Sequence, residues 1–545
     1  MKKIVYIISV GALILSSCNK WLDINDNPNT ANSTVPAADQ RLPSILAQFA
    51  DAYESGGTRA AHITQQLANV YSGSARNYNL SRWFSDASAA NWPWQAWYVN
   101  TAVNLEPMAL AAEKVGAYHY IGVGKIMKAW GFGYIADFYG LAPYKDFDKA
   151  DNITPSFDDA EYIYSQIIPL LDEAVSDLNK TQGPAAPPLS KGDTYNAGDV
   201  NKWIKLAYGL KARFLSHLNK KSTYNPDAIL EALEKAAKTA AESTVYQYVD
   251  DPNVSSDNTD KAALQYVNTS ASTRVTQLYI DYITNNYTGA PSGNNNMLDP
   301  RYSLLIPQSQ EKDGSFRFTK GVDMSSNIVL SGPASYTYTE KTNSFTNKDS
   351  IYIALRESKA ANGRVLSTGT WYNHKGSKGL FVTGAEMKFI EAEIRLRKGQ
   401  KDLALLAYKE GVKIHMELMG IGVSEITKFL NSSSVVQDAN KLTMSHVMIQ
   451  KYIALSYSPE QWVDLRRMDY CTDGNGNYNE QLGVYKGFKR VPHVYTQSYP
   501  NPTDWPRRFA MASYELNFNK AQLIKAAPTA ELPTYLNEPI WWDKK

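Results

Sequence analysis

The chain has 545 residues, with 56 lysines and arginines against 54 aspartates and glutamates, and only two cysteines. This balance of charge argues against a nucleic-acid-binding protein, which needs a basic surface. A single cysteine beyond Cys18 excludes a framework of disulfides. A chain of this length can instead bury a large apolar core, in one large domain or two interlocked ones.

Residues 1–17 have the order of parts of a secretory signal peptide. Two lysines precede an apolar run at 4–15, which is too short to span a bilayer as a helix. The Leu-Ser-Ser-Cys box at 15–18 resembles the cleavage site of bacterial lipoproteins. That resemblance implies that Cys18 begins the mature protein and carries a diacylglycerol and an acyl group, which together anchor firmly. The alternative is an ordinary secreted protein with a chance cysteine.

Residues 18–39 are predicted to form a lipidated, flexible tether. From Asn19 to Asp39 the chain is polar, rich in asparagine turns and broken by Pro28 and Pro36. Fully extended, this segment would reach roughly 70 Å, enough to hold a globular body clear of lipid head groups. No later segment reads as a membrane span.

Residues 40–244 are predicted to be the first half of a helical scaffold. One helix pair joins 116–139 to 160–178. A second pair has an apolar stripe at helical spacing from Trp203 to Phe214, followed by a helix from Asn225 to about Glu242. The Asn-Pro-Asp start of that last helix supplies a cap and a first-turn proline.

Residues 245–380 are predicted to be a loop-rich variable region. The composition shifts here towards asparagine, serine, threonine, glycine and tyrosine, and no helical period is present. Irregular segments of this length inside a compact protein are usually functional, so part of the binding site is expected here.

Residues 381–470 are predicted to be the second half of the scaffold. A helix over 384–399 has apolar residues on two opposite faces, which indicates that it lies between other helices. The next helix, after a turn at 399–401, carries small residues on one side, as in tetratricopeptide-type pairs. The charged residues on the flanks of the helix over 384–399 are predicted to form two i, i+4 pairs, Glu391 with Arg395 and Glu393 with Arg397.

A further pair is predicted to join a helix at 442–457 to one at 459–468. Residues 471–545 are again loop-rich and are expected to wrap the scaffold. The predicted fold class is therefore all-α dominated, a tetratricopeptide-like helix-pair scaffold with a large irregular, loop-rich insertion.

Short motifs occur in a fixed order along nearly the whole mature chain, each weak alone but specific together. They are Trp21-Leu22-Asp23, Asn27-Pro28-Asn29, Lys128-Ala129-Trp130 leading into Ala136-Asp137-Phe138-Tyr139-Gly140 and Pro143-Tyr144, Leu170-Leu171-Asp172-Glu173-Ala174, Gly198-Asp199 with Lys202-Trp203, Leu210-Lys211-Ala212-Arg213, Ala385-Glu386 with Glu391-Ala392-Glu393, Gln450-Lys451-Tyr452-Ile453-Ala454-Leu455, and Trp462-Val463-Asp464-Leu465-Arg466-Arg467. In these motifs the chain resembles the SusD/RagB family of Bacteroidetes outer-membrane nutrient-binding lipoproteins.

The resemblance implies a helical scaffold that carries a variable loop-rich part. It also implies a lipid-anchored outer-membrane protein, exposed at the cell surface, that caps a SusC-like TonB-dependent transporter and captures glycans, or in some members peptides, for import. The family binds its ligand and is not catalytic, so the prediction is a binding protein with no cofactor. The motifs are mostly scaffold, and the ligand site has to be argued from chemistry.

Sugar rings present flat C–H faces, which suit exposed aromatic rings flanked by amides and charged groups. The densest aromatic cluster runs from Tyr78 to Tyr98, and members of the family commonly place stacking aromatics just before the helix that begins there. The alternative for these tryptophans is burial under a loop; Trp97 and Tyr98, inside the helix, are expected in the core. The ligand-binding candidates of this first patch are Arg76, Tyr78, Trp83, Asn91, Trp92 and Trp94.

A second patch of aromatics lies in the loop-rich region. Many tyrosines in such segments only pin loops, which is the alternative to binding. The patch comprises Tyr279, Tyr282, Tyr336, Tyr338, Trp371 and Tyr372, of which Tyr279, Tyr336 and Trp371 are the ligand-binding candidates. Whether the two patches converge in space is open at this stage.

No catalytic or metal site is predicted. Glu386, Glu391 and Glu393 lie beside arginines and are expected to form ion pairs, although paired carboxylates are also the machinery of glycoside hydrolases. Asp281, Asp299 and Asp323 form no pair with supported geometry. The seven histidines lack H-x-x-x-H spacing, and no nucleophile elbow, P-loop or dinucleotide motif is present.

The leading hypothesis is thus a surface glycan-binding lipoprotein that acts as the lid of a SusC-like transporter. The alternatives are a peptide-binding lid of the RagB type, a surface glycoside hydrolase, and an adhesive lipoprotein without a soluble ligand.

Overall fold

The structure, a computed structural model, describes residues 36–69, 75–149, 151–248, 273–325, 338–339, 344–345, 352–374 and 376–544. Helices dominate this part of the chain, which confirms the predicted all-α, tetratricopeptide-like class. The signal peptide, Cys18 and most of the predicted tether lie outside the described residues.

The first eight helices are α1 Ala38–Ile63, α2 Ala75–Ser81, α3 Ala87–Gln95, α4 Leu105–Glu113, α5 Tyr118–Tyr139, α6 Ala160–Leu178, α7 Val200–His217 and α8 Pro226–Lys235. The others are α9 Gln277–Ile283, α10 Tyr302–Leu305, α11 Gly384–Arg397, α12 Lys401–Leu418, α13 Val423–Leu430, α14 Met444–Ala454, α15 Pro459–Arg467, α16 Ser513–Phe518 and α17 Lys520–Ala526. A π-helical turn, Ala96–Thr101, and a 3-10 turn, Ala102–Asn104, join α3 to α4.

Strands are short and pair two by two in antiparallel ladders throughout the described residues. The ladders are β1 Leu67–Asn69 with β5 Thr273–Val275, β2 Leu141–Ala142 with β3 Asp158–Asp159, β4 Thr244–Gln247 with β12 Lys378–Val382, β6 Gln308–Gln310 with β7 Phe316–Phe318, β8 Tyr338–Thr339 with β9 Ser344–Phe345, and β10 Ser358–Lys359 with β11 Val365–Ser367. Most of them, with the short α9 and α10, fall in the region predicted to be loop-rich.

Three of the predicted helix pairs are present: α5 with α6, α7 with α8, and α11 with α12. Two boundaries differ. Helix α1 begins at Ala38, inside the segment assigned to the tether, because the Gln40 side chain accepts a hydrogen bond from the Ala37 N–H and caps the helix. Helix α8 ends at Lys235 and not near Glu242, since Ala236 is extended and Glu242 turns back to accept the N–H of Lys238.

Helix α11 is buried between neighbours, as its two apolar faces predict. It packs against α12 on one side and α14 on another. Gly411 allows the close contact with α12, because a Cβ there would lie 3.0 Å from the ring of Phe389. Both predicted ion pairs along α11 are confirmed, at 3.6 Å for Glu391 with Arg395 and 3.1 Å for Glu393 with Arg397.

Helices α14 and α15, which are predicted to pair with each other, pack mainly against other helices. Helix α14 packs mainly on α11, whereas α15 packs mainly on α1. Tyr457 in the connection has a φ of 64°, which redirects the chain between the two helices. Gly57 of α1 makes the contact possible, since a Cβ at this position would lie 2.0 Å from the carbonyl oxygen of Tyr457.

Buried arginines cross-link scaffold helices that are remote from each other in the chain. Arg213 of α7 binds Glu386 of α11 at 2.6 Å, and Arg467 of α15 binds Glu393 of the same helix at 2.5 Å, with all four side chains at most 1% exposed. Burial acts to raise the pKa of Glu393, but Arg467 outweighs it and lowers the pKa to about 2. These glutamates are therefore committed to structure.

The C-terminal residues lie across the first half of the scaffold. The Phe509 N–H donates to the Phe138 carbonyl at 2.8 Å, and the Trp542 indole donates to Asp137 at 2.7 Å. None of the helices in the described part of the chain combines the length and apolar character needed to cross a membrane.

Candidate functional site

Two tryptophans of the first patch belong to the core. Trp83 is 1% exposed, its indole N–H donates to the Ile63 carbonyl at 3.1 Å, and its ring packs on Trp505. Trp94 is 2% exposed and donates to Glu515 at 3.1 Å. The prediction that these two residues stack on a ligand is therefore wrong. Both are buried, as the alternative for these tryptophans stated. The apolar area gained by burying an indole outweighs any benefit of exposing it.

The other four residues of the first patch are half-buried. Trp92 donates its indole N–H to Asp51 at 2.8 Å, and the Asn91 amide binds Ser513 at 2.7 Å. Arg82 lies over the ring of Tyr78, 5.6 Å from its centroid. Burial lowers the pKa of Arg76. A ligand role for Arg76, Tyr78, Asn91 and Trp92 stays a prediction.

The second patch is divided in a similar way. Tyr279 is fully buried and its hydroxyl lies 2.7 Å from the Ser456 hydroxyl. The prediction that Tyr279 binds the ligand is therefore wrong. Trp371 is half-buried and packs edge-on against Tyr372, which is 3% exposed. Tyr336 lies outside the described residues, as does Cys18, so both stay predictions.

Strand pairing brings the two stretches of sequence together. Leu67 to Asn69 in β1 lie opposite Val275 to Thr273 in β5, and the Thr276 N–H donates to the Gln66 carbonyl at 3.1 Å. Residues 67–69 thus run beside residues 273–275, which precede Tyr279.

A polar cleft of about 680 Å³ opens beside this strand pair. One wall is α9, where Gln277 and Asp281 face the cleft while Tyr279 and Tyr282 face the core. The aromatic residues of α9 therefore pack in the core, and its polar residues line the cleft. Asn285, Asn286 and Tyr287, just after α9, continue this wall.

The opposite wall comes from the C-terminal segment. Tyr478 is 41% exposed, and the ammonium group of Lys489 lies 5.7 Å from the centroid of its ring. The Gln65 amide donates to the Lys489 carbonyl at 2.6 Å and ties this wall to the end of α1. Lys489 has no carboxylate partner among the described residues, so its charge faces the cleft.

The acids of the cleft are held by hydrogen bonds. Asp281 accepts from Gln277 at 2.8 Å and from Asn286 at 3.0 Å. Burial acts to raise the pKa of Glu480, but hydrogen bonds from Tyr478 and the Gly487 N–H outweigh it and lower the pKa. An ionised Glu480 is a poor proton donor, whereas it is a good acceptor for ligand hydroxyls.

Amides, carboxylates, the Lys489 ammonium group and the rings of Tyr287 and Tyr478 thus meet in one concave surface. This combination suits a ligand that is rich in hydroxyl groups and has flat apolar faces. Tyr478 and Lys489 were missed at the sequence level because they follow the last scaffold helix. The Gly- and Asn-rich run at 473–479 around Tyr478 has the composition of the variable region, and that signal could have found them.

One group of potential metal ligands occurs among the described residues, namely Asp137, His217 and Glu460, all buried. His217 faces Glu460 through Nε2 at 3.0 Å and Asp137 through Nδ1 at 3.5 Å, and the Tyr164 hydroxyl lies 2.8 Å from Nδ1. One ion cannot use both nitrogens of one ring, so this geometry suits a hydrogen-bonded structural cluster better than a chelate.

The described helices and the polar cleft define the class of fold, a helix-pair scaffold in which loop-rich segments line a concave surface. The chain belongs to the SusD-like family described as starch-binding and associating with the outer membrane, whose profile matches residues 29–483. The resemblance seen in the sequence motifs is therefore confirmed. No curated protein is similar to the chain at the sequence level.

Several solved structures share the fold. A SusD/RagB family protein from Bacteroides thetaiotaomicron is 21% identical, with 93% of this chain and 99% of that chain covered and a TM-score of 0.65. A chitin-binding SusD homologue from Flavobacterium johnsoniae is 16% identical, with 93% and 97% covered and a TM-score of 0.64. A SusD homologue from Bacteroides uniformis is 17% identical, with 93% and 99% covered and a TM-score of 0.63.

Proposed function

We propose that the protein binds glycans at the cell surface and does not cleave them. The observation that carries this proposal is the cleft between α9 and the C-terminal segment, with its tyrosine rings, amides and charged groups. The family description and the presence of a chitin-binding protein among similar structures support a carbohydrate ligand. Affinity in the range of roughly μM to mM is expected, since an open cleft of this kind must also release its cargo.

The Tyr478→Ala variant is expected to bind a preferred hexasaccharide about five- to tenfold more weakly, because it loses an exposed stacking face. Calorimetric titration with maltohexaose, cellohexaose and chitohexaose measures this, and release of new reducing ends is assayed in parallel. Phe518→Ala is the matched control, because Phe518 is 77% exposed and does not line the cleft.

Equal affinity of Tyr478→Ala and the parent protein would contradict the role of the cleft. Sustained release of reducing ends would contradict a pure binding function and favour a hydrolase. Binding of peptides in place of all three oligosaccharides would favour the peptide-binding alternative, for which the mixed charges of Asp281 and Lys489 are the supporting observation.

We further propose that Cys18 is lipidated and that the protein acts as a tethered lid over a SusC-like TonB-dependent transporter in the outer membrane. The family description, which names association with the outer membrane, supports this location. Affinity purification of the tagged protein from solubilised membranes is expected to retain a SusC-like transporter. A Cys18→Ser variant is expected to leave the membrane fraction. Recovery of the parent protein without any transporter would contradict the lid.

A further inference from the structure

A second concave surface, an apolar groove of about 310 Å³, lies between the start of α3 and the C-terminal residues. It shares no lining residue with the polar cleft. Its walls include Phe84, Tyr495, Leu516, Leu532 and Leu536. Leu532 on the rim is 52% exposed. The volume is at the low end for small-ligand sites, roughly 300 Å³ and above, and is sufficient for one sugar ring with its substituent.

A strained turn forms one wall of this groove. Trp83 has a φ of 62°, which is a genuine outlier for a bulky residue and persists only where the surroundings enforce it. The turn sends Trp83 into the core and Phe84 into the groove, where its ring stacks on Tyr495 with centroids 4.1 Å apart. Both of these stacked rings are half-buried. The fold thus maintains an aromatic wall at a conformational cost.

Two polar groups in the groove retain hydrogen-bonding capacity. Glu531 binds Lys520 through Oε1 at 2.6 Å, and its Oε2 has no partner among the described residues. Ser85 is 2% exposed; its hydroxyl oxygen accepts the Ala510 N–H at 3.1 Å, and its proton has no acceptor in the described part of the chain. No lysine or arginine lines the groove. Asp86, which also lines the groove, already accepts three hydrogen bonds at the start of α3. Besides this carboxylate, the groove offers an apolar wall, an acceptor on Glu531 and a donor on Ser85.

We propose that this groove binds the acetamido group of an N-acetylated amino sugar, an inference that rests on the proposed glycan-binding function. The acetamido methyl packs against Leu516 and Leu532. Its N–H donates to Glu531 Oε2, and its carbonyl accepts from the Ser85 hydroxyl. A hydroxyl group at the 2-position of the sugar has no methyl group to pack in the groove. It also cannot bind both Glu531 and Ser85 in the same geometry, so the groove discriminates against a sugar with this hydroxyl.

Chitohexaose and cellohexaose test this assignment, because they share the β-1,4 backbone and differ only at the 2-position. In calorimetric titrations with the mature chain, chitohexaose is expected to bind at least about tenfold more tightly. Leu532→Asp and Glu531→Ala are each expected to weaken chitohexaose binding about tenfold and to change cellohexaose binding less than twofold. Lys520→Ala is the matched control, since it removes the same ion pair but keeps the Glu531 carboxylate.

Equal affinities of the parent protein for the two hexasaccharides would overturn the acetamido site. So would unchanged discrimination in both groove variants, whose folding is checked by their unfolding midpoints. Failure of the proposed glycan-binding function would give a different result from failure of the acetamido site. In that case no oligosaccharide would bind to the parent protein, and Tyr478→Ala could not reduce the affinity. If oligosaccharides bind through the cleft without a preference for the acetamido group, only the groove assignment falls.

Discussion

Replacing Arg467 with methionine is expected to lower the free energy of unfolding by about 3–5 kcal/mol, because it removes the buried partner of Glu393 and leaves this carboxylate only the partly exposed Arg397. Glu393 and Arg467 are both fully buried, and Arg467 also binds Asp464 at 2.7 Å. This network joins α11 to α15 within the second half of the scaffold, so its loss loosens the contact between these two helices. Denaturation with urea, followed by circular dichroism, measures the change.

Two further variants decide whether the uncompensated charge is the cause. The double variant Glu393→Gln with Arg467→Met is expected to be more stable than Arg467→Met alone, since the buried charge is then removed. Lys235→Ala breaks an exposed i, i+4 pair with Glu231 and is expected to change stability by less than about 0.5 kcal/mol. A double variant as unstable as the single one would show that packing, and not charge, dominates.

The Trp83→Ala variant is expected to lose about 3–5 kcal/mol of stability and to keep its affinity for cellohexaose, because Trp83 does not line the polar cleft. The indole lies in an aromatic cluster with Phe488, Tyr499 and Trp505, so truncation leaves a large cavity. Urea denaturation and calorimetric titration of the same sample measure the two properties separately.

Trp92→Ala is the informative comparison for this variant. Trp92 is half-buried and comes from the same predicted patch, so its truncation is expected to cost less stability than that of Trp83. A Trp83→Ala protein of normal stability but reduced affinity for oligosaccharides would restore Trp83 as a ligand-stacking residue and remove it from the core.

Ion pairing holds the buried scaffold acids in structural contacts. Glu386 and Glu393 each face a buried arginine, and the pKa of Glu393 lies far below its usual value. A general acid needs the opposite shift, a carboxyl group that remains protonated near neutral pH. Asp281, which lines the cleft, accepts hydrogen bonds from the neighbouring amides of Gln277 and Asn286.

Prediction of the scaffold from sequence succeeded where the pattern is local. The period of apolar residues in α11, the cap of α8 and the i, i+4 pairs depend only on neighbours in the chain. The ion-pair partners of Arg213 and Arg467 could not be predicted from such local patterns. Arg213 lies 173 residues from Glu386, and Arg467 lies 74 residues from Glu393.

The sequence by itself determined the fold class, three of the helix pairs and the family, because helical periodicity and motif order are properties of the chain. Only the tertiary structure decided which aromatic residues are available to a ligand. An indole is equally apolar in a core and on a binding surface, so composition near Trp83 could not distinguish the two. The cleft depends on contacts between Gln65, α9 and Lys489, which are remote in sequence. Its position therefore emerges only when the chain has folded.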